Sequence, residues 1–290
     1  MQAYLEVIGV LAVVLLGLTA GKIFSRFKGS YWLIGYFISL VLAILLVLPR
    51  LYYPLHFAPF FSELLAGRAR FIVLAIAVTV GLVAPLDRLP RKLEQVLVCT
   101  VMAIVLGWFS VMPFLAPAVL QKTHASLRTT FNYQGVCFQT TDYTCGPAAA
   151  VTALHKLGIE ADEGQIAILS HSSPVTGTLP QCLADALNKQ YAGLGLDFKF
   201  RMFDSIEQLN DSEVTLVVIK DHFLSDHCIA VLDVTKDRVI VADPVSGICV
   251  LTHEYFAEKW RFSGIAIKHT VPQTEMRTKI ASGTGQSHSI

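Results

Sequence analysis

Four long apolar stretches, all within the first 120 residues, constrain this 290-residue chain more than any other feature. A hydrocarbon core about 30 Å thick is crossed by roughly 20 apolar residues in a helix, so runs of that length point to a bilayer. Segments 31–49, 71–86 and 96–120 contain no charged side chain, and segment 3–20 contains one, Glu6, near its outer end. Segment 71–86 is short for a span, so it needs thinned bilayer or help from flanking residues. Pro113 and Pro117 are expected to kink or end the last segment. Tyr31, Trp32, Tyr52 and Tyr53 fall where amphipathic rings prefer the interface.

Charge is divided as unevenly as hydropathy. Of 23 Lys/Arg and 22 Asp/Glu, the first 120 residues hold nine and four, giving formal charges of +5 for that part and −4 for the rest. This split excludes a single water-soluble domain, a disordered chain and a polybasic nucleic-acid binder. It leaves an all-α transmembrane bundle of about four helices, residues 1–122, preceding a water-soluble domain, residues 123–271. No basic residue comes before Lys22, which argues against a cleaved signal peptide and for a retained first helix. Segment 51–67, with His56 and Glu63, reads as a short amphipathic piece at the interface or, equally, as a plain connection.

Lys22, Arg26 and Lys28 follow the first span, and Arg88, Arg91 and Lys92 follow the third. The opposite side has Arg50, Arg68 and Arg70, with Lys122 and Arg128 after the last span. Basic loops stay in the cytoplasm. The bias, though small, places both termini and the soluble domain on the outer face of a bacterial inner membrane.

Beyond residue 121 the pattern turns to short alternating runs. Segments 146–157, 163–170 and 179–189 read as helices, with Gly158 as a C-cap and Pro147 in a first turn where its missing N–H costs nothing. Segments 196–202, 214–219, 228–234, 238–242 and 264–268 read as strands, and the turn 235–237 makes the third and fourth a hairpin. Helices followed by an antiparallel sheet make this domain α+β. The polar tail 272–290 is expected to be disordered.

Cys145 stands at the start of the first soluble helix, where free N–H groups and a partial positive charge favour a thiolate. His227 opens the hairpin and Asp243 closes it, so the return of the chain brings imidazole and carboxylate together. The imidazole can serve as base for the thiol, and the carboxylate can accept from its second nitrogen. Gln139, six residues before Cys145, can donate its side-chain amide to an oxyanion. Asp226, His227 and Cys228 alternate faces along a strand, so they cannot converge on one ion with His222, and no metal or cofactor is expected. Cys137, Cys182, Cys228 and Cys249 read as buried free thiols, with a Cys228–Cys249 bridge conceivable in an oxidising compartment.

The pattern Gln139-x5-Cys145-Gly146-Pro147-Ala148, His227 opening a strand, and Asp243-Pro244-x2-Gly247 resembles the bacteriocin-processing, double-glycine leader peptidases. These are papain-like cysteine peptidases, best known as cytoplasmic domains of certain exporters of the ATP-binding-cassette type. The resemblance covers residues 132–267, including Gly177-Thr178-Leu179 and Phe256-x3-Trp260-x3-Gly264. It implies Cys145 as nucleophile, His227 as general base and acid, Asp243 as the His orienter, Gln139 as oxyanion donor, and hydrolysis of a peptide bond through a thioester. Thr144 replaces the Asp that often precedes the nucleophile, and the peptidase part follows the spans instead of preceding them. No G-x4-G-K-[ST] loop occurs, so a separate exporter would supply any ATPase. The expected partners are a peptide or protein substrate and the lipid bilayer. Two other readings stay open: an inactive peptide-binding sensor, and a papain-like acyltransferase.

Overall fold

The computed structural model describes residues 2–52, 55, 58–221 and 226–269. By contact, the chain divides into two bodies. The first comprises Met1–Arg128 together with Thr141–Thr144 and Ala167–Cys182; the second comprises Thr129–Thr140, Cys145–Ile166 and the chain from Leu183 onward. Tyr53, His56, His222 and the tail 272–290 lie outside the described residues.

The first body is helical: α1 (Gln2–Ser25), α2 (Leu33–Leu51), α3 (Pro59–Ala66), α4 (Ala69–Val83), α5 (Lys92–Leu106), α6 (Met112–Val119) and α7 (Gln121–His124). Three stretches are long and apolar enough to cross a membrane: Leu5–Ser25, Ala69–Arg88 and Lys92–Val119. The third expected span has thus gained flanking residues, including the 3-10 turn Leu86–Arg88. The second is shorter than expected, with an apolar run of Leu33–Pro49, because Trp32 lies before the helix. Between α5 and α6 the backbone forms a π-turn, Gly107–Val111, just ahead of Pro113. The wider turn makes room where the proline ring would meet a carbonyl of the preceding turn. The segment 51–67, read as an interfacial piece or a plain connection, contains α3, whose Phe60 is exposed.

α1 and α4 run parallel. Glu6 pairs with Arg68 at one end, while Lys22 and Ser25 both reach Asp87 at 2.7 Å at the other. Between these ends, Gly17 lies against Thr79, and a Cβ on Gly21 would sit 2.7 Å from Val83 Cβ. The small-x3-small spacing lets the two backbones approach closely, and dispersion then holds them. Arg88 donates to the carbonyls of Ser25 and Phe27 at 2.8 Å, so the two most basic loops share one end.

The second body opens with a two-stranded ladder, β1 (Thr130–Phe131) and β2 (Cys137–Phe138), and then α8 (Cys145–Lys156). α9 (Glu163–Leu169) and α10 (Pro180–Tyr191) follow in sequence; the division assigns Glu163–Ile166 and the part of α10 from Leu183 to this body. Six strands complete it: β3 (Leu196–Met202), β4 (Val214–Lys220), β5 (Asp226–Val234), β6 (Arg238–Asp243), β7 (Gly247–Thr252) and β8 (Trp260–His269). They form one antiparallel sheet in the order β3-β8-β4-β5-β6-β7. The edge strand β7 and the helix α11 (His253–Lys259) were not anticipated.

Each face of the sheet has its own core. Ala148, Ala149, Ala150, Val151, Ala153 and Leu154 of α8 are fully buried in the first, with Leu196, Phe198, Leu216 and Ala230. The alanine run lets α8 lie close against β5 and β4. Gly158, at φ +74°, closes this helix and lets Ile159 N–H reach the Leu154 carbonyl at 2.9 Å. The second core gathers Phe203, Ile229, Val241, Phe256 and Trp260. Phe256 and Trp260, part of the resemblance above, meet in this core in a tilted ring pair with centroids 5.3 Å apart.

Candidate active site

Three side chains from three elements meet at one end of the sheet in the second body. Cys145 is the first residue of α8 and is half-buried. The chain ahead of it is tied off by Thr144, whose Oγ1 accepts from Thr141 N–H at 3.1 Å. This buried hydroxyl closes the turn directly ahead of Cys145. His227 is the second residue of β5, and Asp243 is the last of β6.

The hairpin pairs Ala230 with Ala242, and its register shifts between Val231 and Asp233. It brings His227 Nε2 to 2.8 Å from Asp243 Oδ1. The Cys145 side chain is close enough to act on the same imidazole. Asp243 is gripped from its own turn: Val245 N–H donates to Oδ1 at 2.8 Å and Ser246 Oγ to Oδ2 at 2.7 Å. With His227 and Asp243 only 14% and 20% exposed, solvent screens the pair weakly.

The electrostatics follow from these contacts. Burial opposes a charged His227, but hydrogen bonds to Asp243 and Cys145, and the charges of both, push the imidazole up to about 10. Burial likewise opposes a charged Asp243. The hydrogen bonds from His227, Ser246 and Val245, with the imidazole charge, hold it at about 2. Both partners therefore favour the charged state together.

Gln139 sits beside this group through its backbone: its N–H donates to the Pro244 carbonyl at 3.0 Å, directly after Asp243. Its buried Oε1 has no hydrogen-bond partner. The next residue, Thr140, donates through its N–H to Glu163 Oε1 at 2.8 Å and through Oγ1 to Oε2 at 2.6 Å. Glu163 was not singled out by sequence; an acid in a first helical turn reads as an ordinary helix start. Ser246 was missed as well, although a hydroxyl three residues after Asp243 in a turn is a recognisable signal.

All six cysteines are free. The conceivable Cys228–Cys249 bridge is overturned: β6 lies between their strands, and Cys228 packs on the first core but Cys249 on the second. Burial, reinforced by the charge on Cys145, pushes the Cys228 thiol well above its ordinary value. Burial and the nearby Glu163 charge push Cys137 to about 12. Both are poor nucleophiles. Among the described residues no group of three His, Cys, Asp or Glu gathers as metal ligands; Asp226 is held by Arg261 at 2.9 Å instead.

Residues 134–272, which contain all four candidate residues, match the model of the Peptidase C39 family. Two uncharacterised archaeal proteins are similar. One, from Methanothermobacter thermautotrophicus, is 24% identical over 131 residues, or 45% of this chain and 86% of the relative. The other, from Methanothermobacter marburgensis, is 26% identical over 120 residues, or 41% and 78%. Among solved structures, the peptidase domain of Streptococcus ComA, a bifunctional ABC transporter of a quorum-sensing pathway, is 20% identical. It has a TM-score of 0.40 over 48% of this chain and 99% of that one. A double glycine motif protease from an AMS/PCAT transporter, solved with its leader peptide, is 15% identical. Its TM-score is 0.39 over 49% and 93% of the two chains.

Proposed function

We propose, from the match of residues 134–272 to the Peptidase C39 family, that this chain is a membrane-anchored cysteine peptidase of that family. It hydrolyses a peptide bond in a peptide or protein segment near the membrane surface. The observation that carries this reading is the convergence of Cys145 and Asp243 on one imidazole, His227, bonded to Asp243 at 2.8 Å.

In this reading the Cys145 sulfur attacks the carbonyl carbon, and the developing oxyanion takes hydrogen bonds from the Gln139 amide and the N-terminal N–H groups of α8. His227, protonated and held by Asp243, gives its proton to the departing amine as the C–N bond breaks. A thioester remains. Water then attacks it, with His227 taking a proton from that water, and collapse of the second tetrahedral intermediate returns the thiol and releases the acid. Asp243 fixes the tautomer and orientation of the imidazole and stays ionised throughout.

The three long apolar helices anchor the chain, and no G-x4-G-K-[ST] loop occurs in its 290 residues. The test uses the full chain in detergent or vesicles. Cys145→Ala should abolish peptide cleavage and the alkylation that competes with it, with the melting temperature retained. Cleavage persisting in that variant would rule the proposal out. Incorporation of an added amine in place of water would make the enzyme an acyltransferase.

A further inference from the structure

We infer that Glu163 is a positioning residue for the oxyanion site, acting through Thr140 on Gln139; the inference rests on the hydrolytic reading above. Glu163 is fully buried, and both of its oxygens accept from a single residue, Thr140. A buried carboxylate is costly, and replacing such a group with well-packed apolar side chains is often neutral or better for stability. Stability alone therefore does not explain a carboxylate here. Its geometry does: two hydrogen bonds at 2.8 and 2.6 Å, from N–H and Oγ1 of the same residue, fix both the position and the rotation of that backbone.

The residue so fixed adjoins Gln139. On its other side, Gln139 N–H is bonded to Pro244, in the turn that orients Asp243. The proposed oxyanion donor is thus held from two directions, by the turn of the His-orienting carboxylate and by Glu163. The base of this second hold is itself secured. Thr129 Oγ1 accepts from Glu163 N–H at 2.9 Å and donates to Asp162 Oδ2 at 3.0 Å. Asp162 Oδ1 accepts from Gln165 N–H at 2.8 Å, capping α9. An oxyanion donor is worth roughly 100- to 1000-fold in rate, and a shift of about 1 Å can cost some 100-fold.

Two reagents that differ in one respect separate this role from plain structural support. Iodoacetamide alkylates a thiolate by displacement at a saturated carbon and forms no oxyanion. Acylation by p-nitrophenyl acetate passes through a tetrahedral oxyanion before p-nitrophenolate leaves. Both are measured on the full chain, with the Cys145→Ala background subtracted. Glu163→Ala should slow acylation about 10- to 100-fold while alkylation of Cys145 stays within about twofold. Glu163→Gln, whose amide can accept from Thr140 N–H and donate to its hydroxyl, should recover most of the rate. Thr140→Val keeps the N–H bond and loses the other, so it should give a smaller loss of acylation alone, and it tests the idea even where Glu163→Ala does not fold. Adding Glu163→Ala to Gln139→Ala should cost little more than Gln139→Ala alone, because Glu163 acts through that side chain. A parallel fall in alkylation, unchanged acylation in Glu163→Ala, or fully additive losses with Gln139→Ala would overturn the inference. Absence of Cys145-dependent acylation in the wild type would instead bring down the hydrolytic reading, and this inference with it.

Discussion

His227 and Asp243 raise each other's preference for charge, and this coupling sets pH behaviour that can be measured. A His lifted from 6.5 to about 10 adds stability that is complete below its ordinary value and is lost as pH climbs through about 10. An Asp lowered from 3.8 to about 2 adds stability that is present above its ordinary value and is lost as pH falls through about 2. The melting gap between wild type and Asp243→Asn should therefore be widest between about pH 4 and 6.5 and close towards pH 10; a gap independent of pH would refute the coupling. Activity follows the same logic. The alkaline limb of turnover should lie near pH 10 in the wild type and move down in Asp243→Asn, which loses the bond and the charge that hold the proton on His227. Cys145, His227 and Asp243 were legible as candidates because each lies at the end of an element. Glu163 was not, because its partner is 23 positions away and nothing local marks a carboxylate that reaches back across a core.

At the scale of elements, the helices α8, α9 and α10 and the strands β3 to β6 were legible because their periods are clean and their ends carry Gly, Pro or turn residues. β7 and α11 were not. β7 is a six-residue edge strand with a half-buried pattern, and α11 has only seven residues, too few for a helical period to declare itself. α11 does carry a local start signal, since Thr252 Oγ1 accepts from Tyr255 N–H at 3.2 Å. The helical body holds a similar unread sign, Gly17-x3-Gly21, on the face of α1 that meets α4. A leucine at either glycine must push the helices apart. Gly17→Leu should lower the stability of the detergent-solubilised helices by about 1–3 kcal/mol, as overpacking does elsewhere. Leucine at Gly9, whose Cβ would meet nothing within 4 Å, should be neutral. Equal melting of the two variants would show that the α1–α4 contact contributes nothing.

For the whole molecule, the division of charge is a division of tasks. The acidic part holds every candidate catalytic residue, and the excess basic residues of the other part lie in the connections between apolar helices. The ion pair of Lys22 with Asp87, and the bonds from Arg88 to Ser25 and Phe27, gather those basic loops at one end of the α1–α4 pair. This strengthens the argument from loop charge, because six basic residues act on one side together. Free thiols are compatible with an oxidising compartment where they cannot pair: Cys137 is fully buried, and Cys228 and Cys249 lie on opposite faces of the sheet. We therefore expect the basic loops in the cytoplasm and the peptidase body on the extracytoplasmic face. Alkaline phosphatase fused to the C-terminus, which folds only after export, should be active, and a green fluorescent protein fusion at the same point should be dark. Replacing Lys22, Arg26 and Lys28 with Gln removes half of the retaining charge and should lower phosphatase activity per molecule. A dark phosphatase fusion and a bright fluorescent one in the wild type would place the site in the cytoplasm and turn the search for substrates to chains not yet exported.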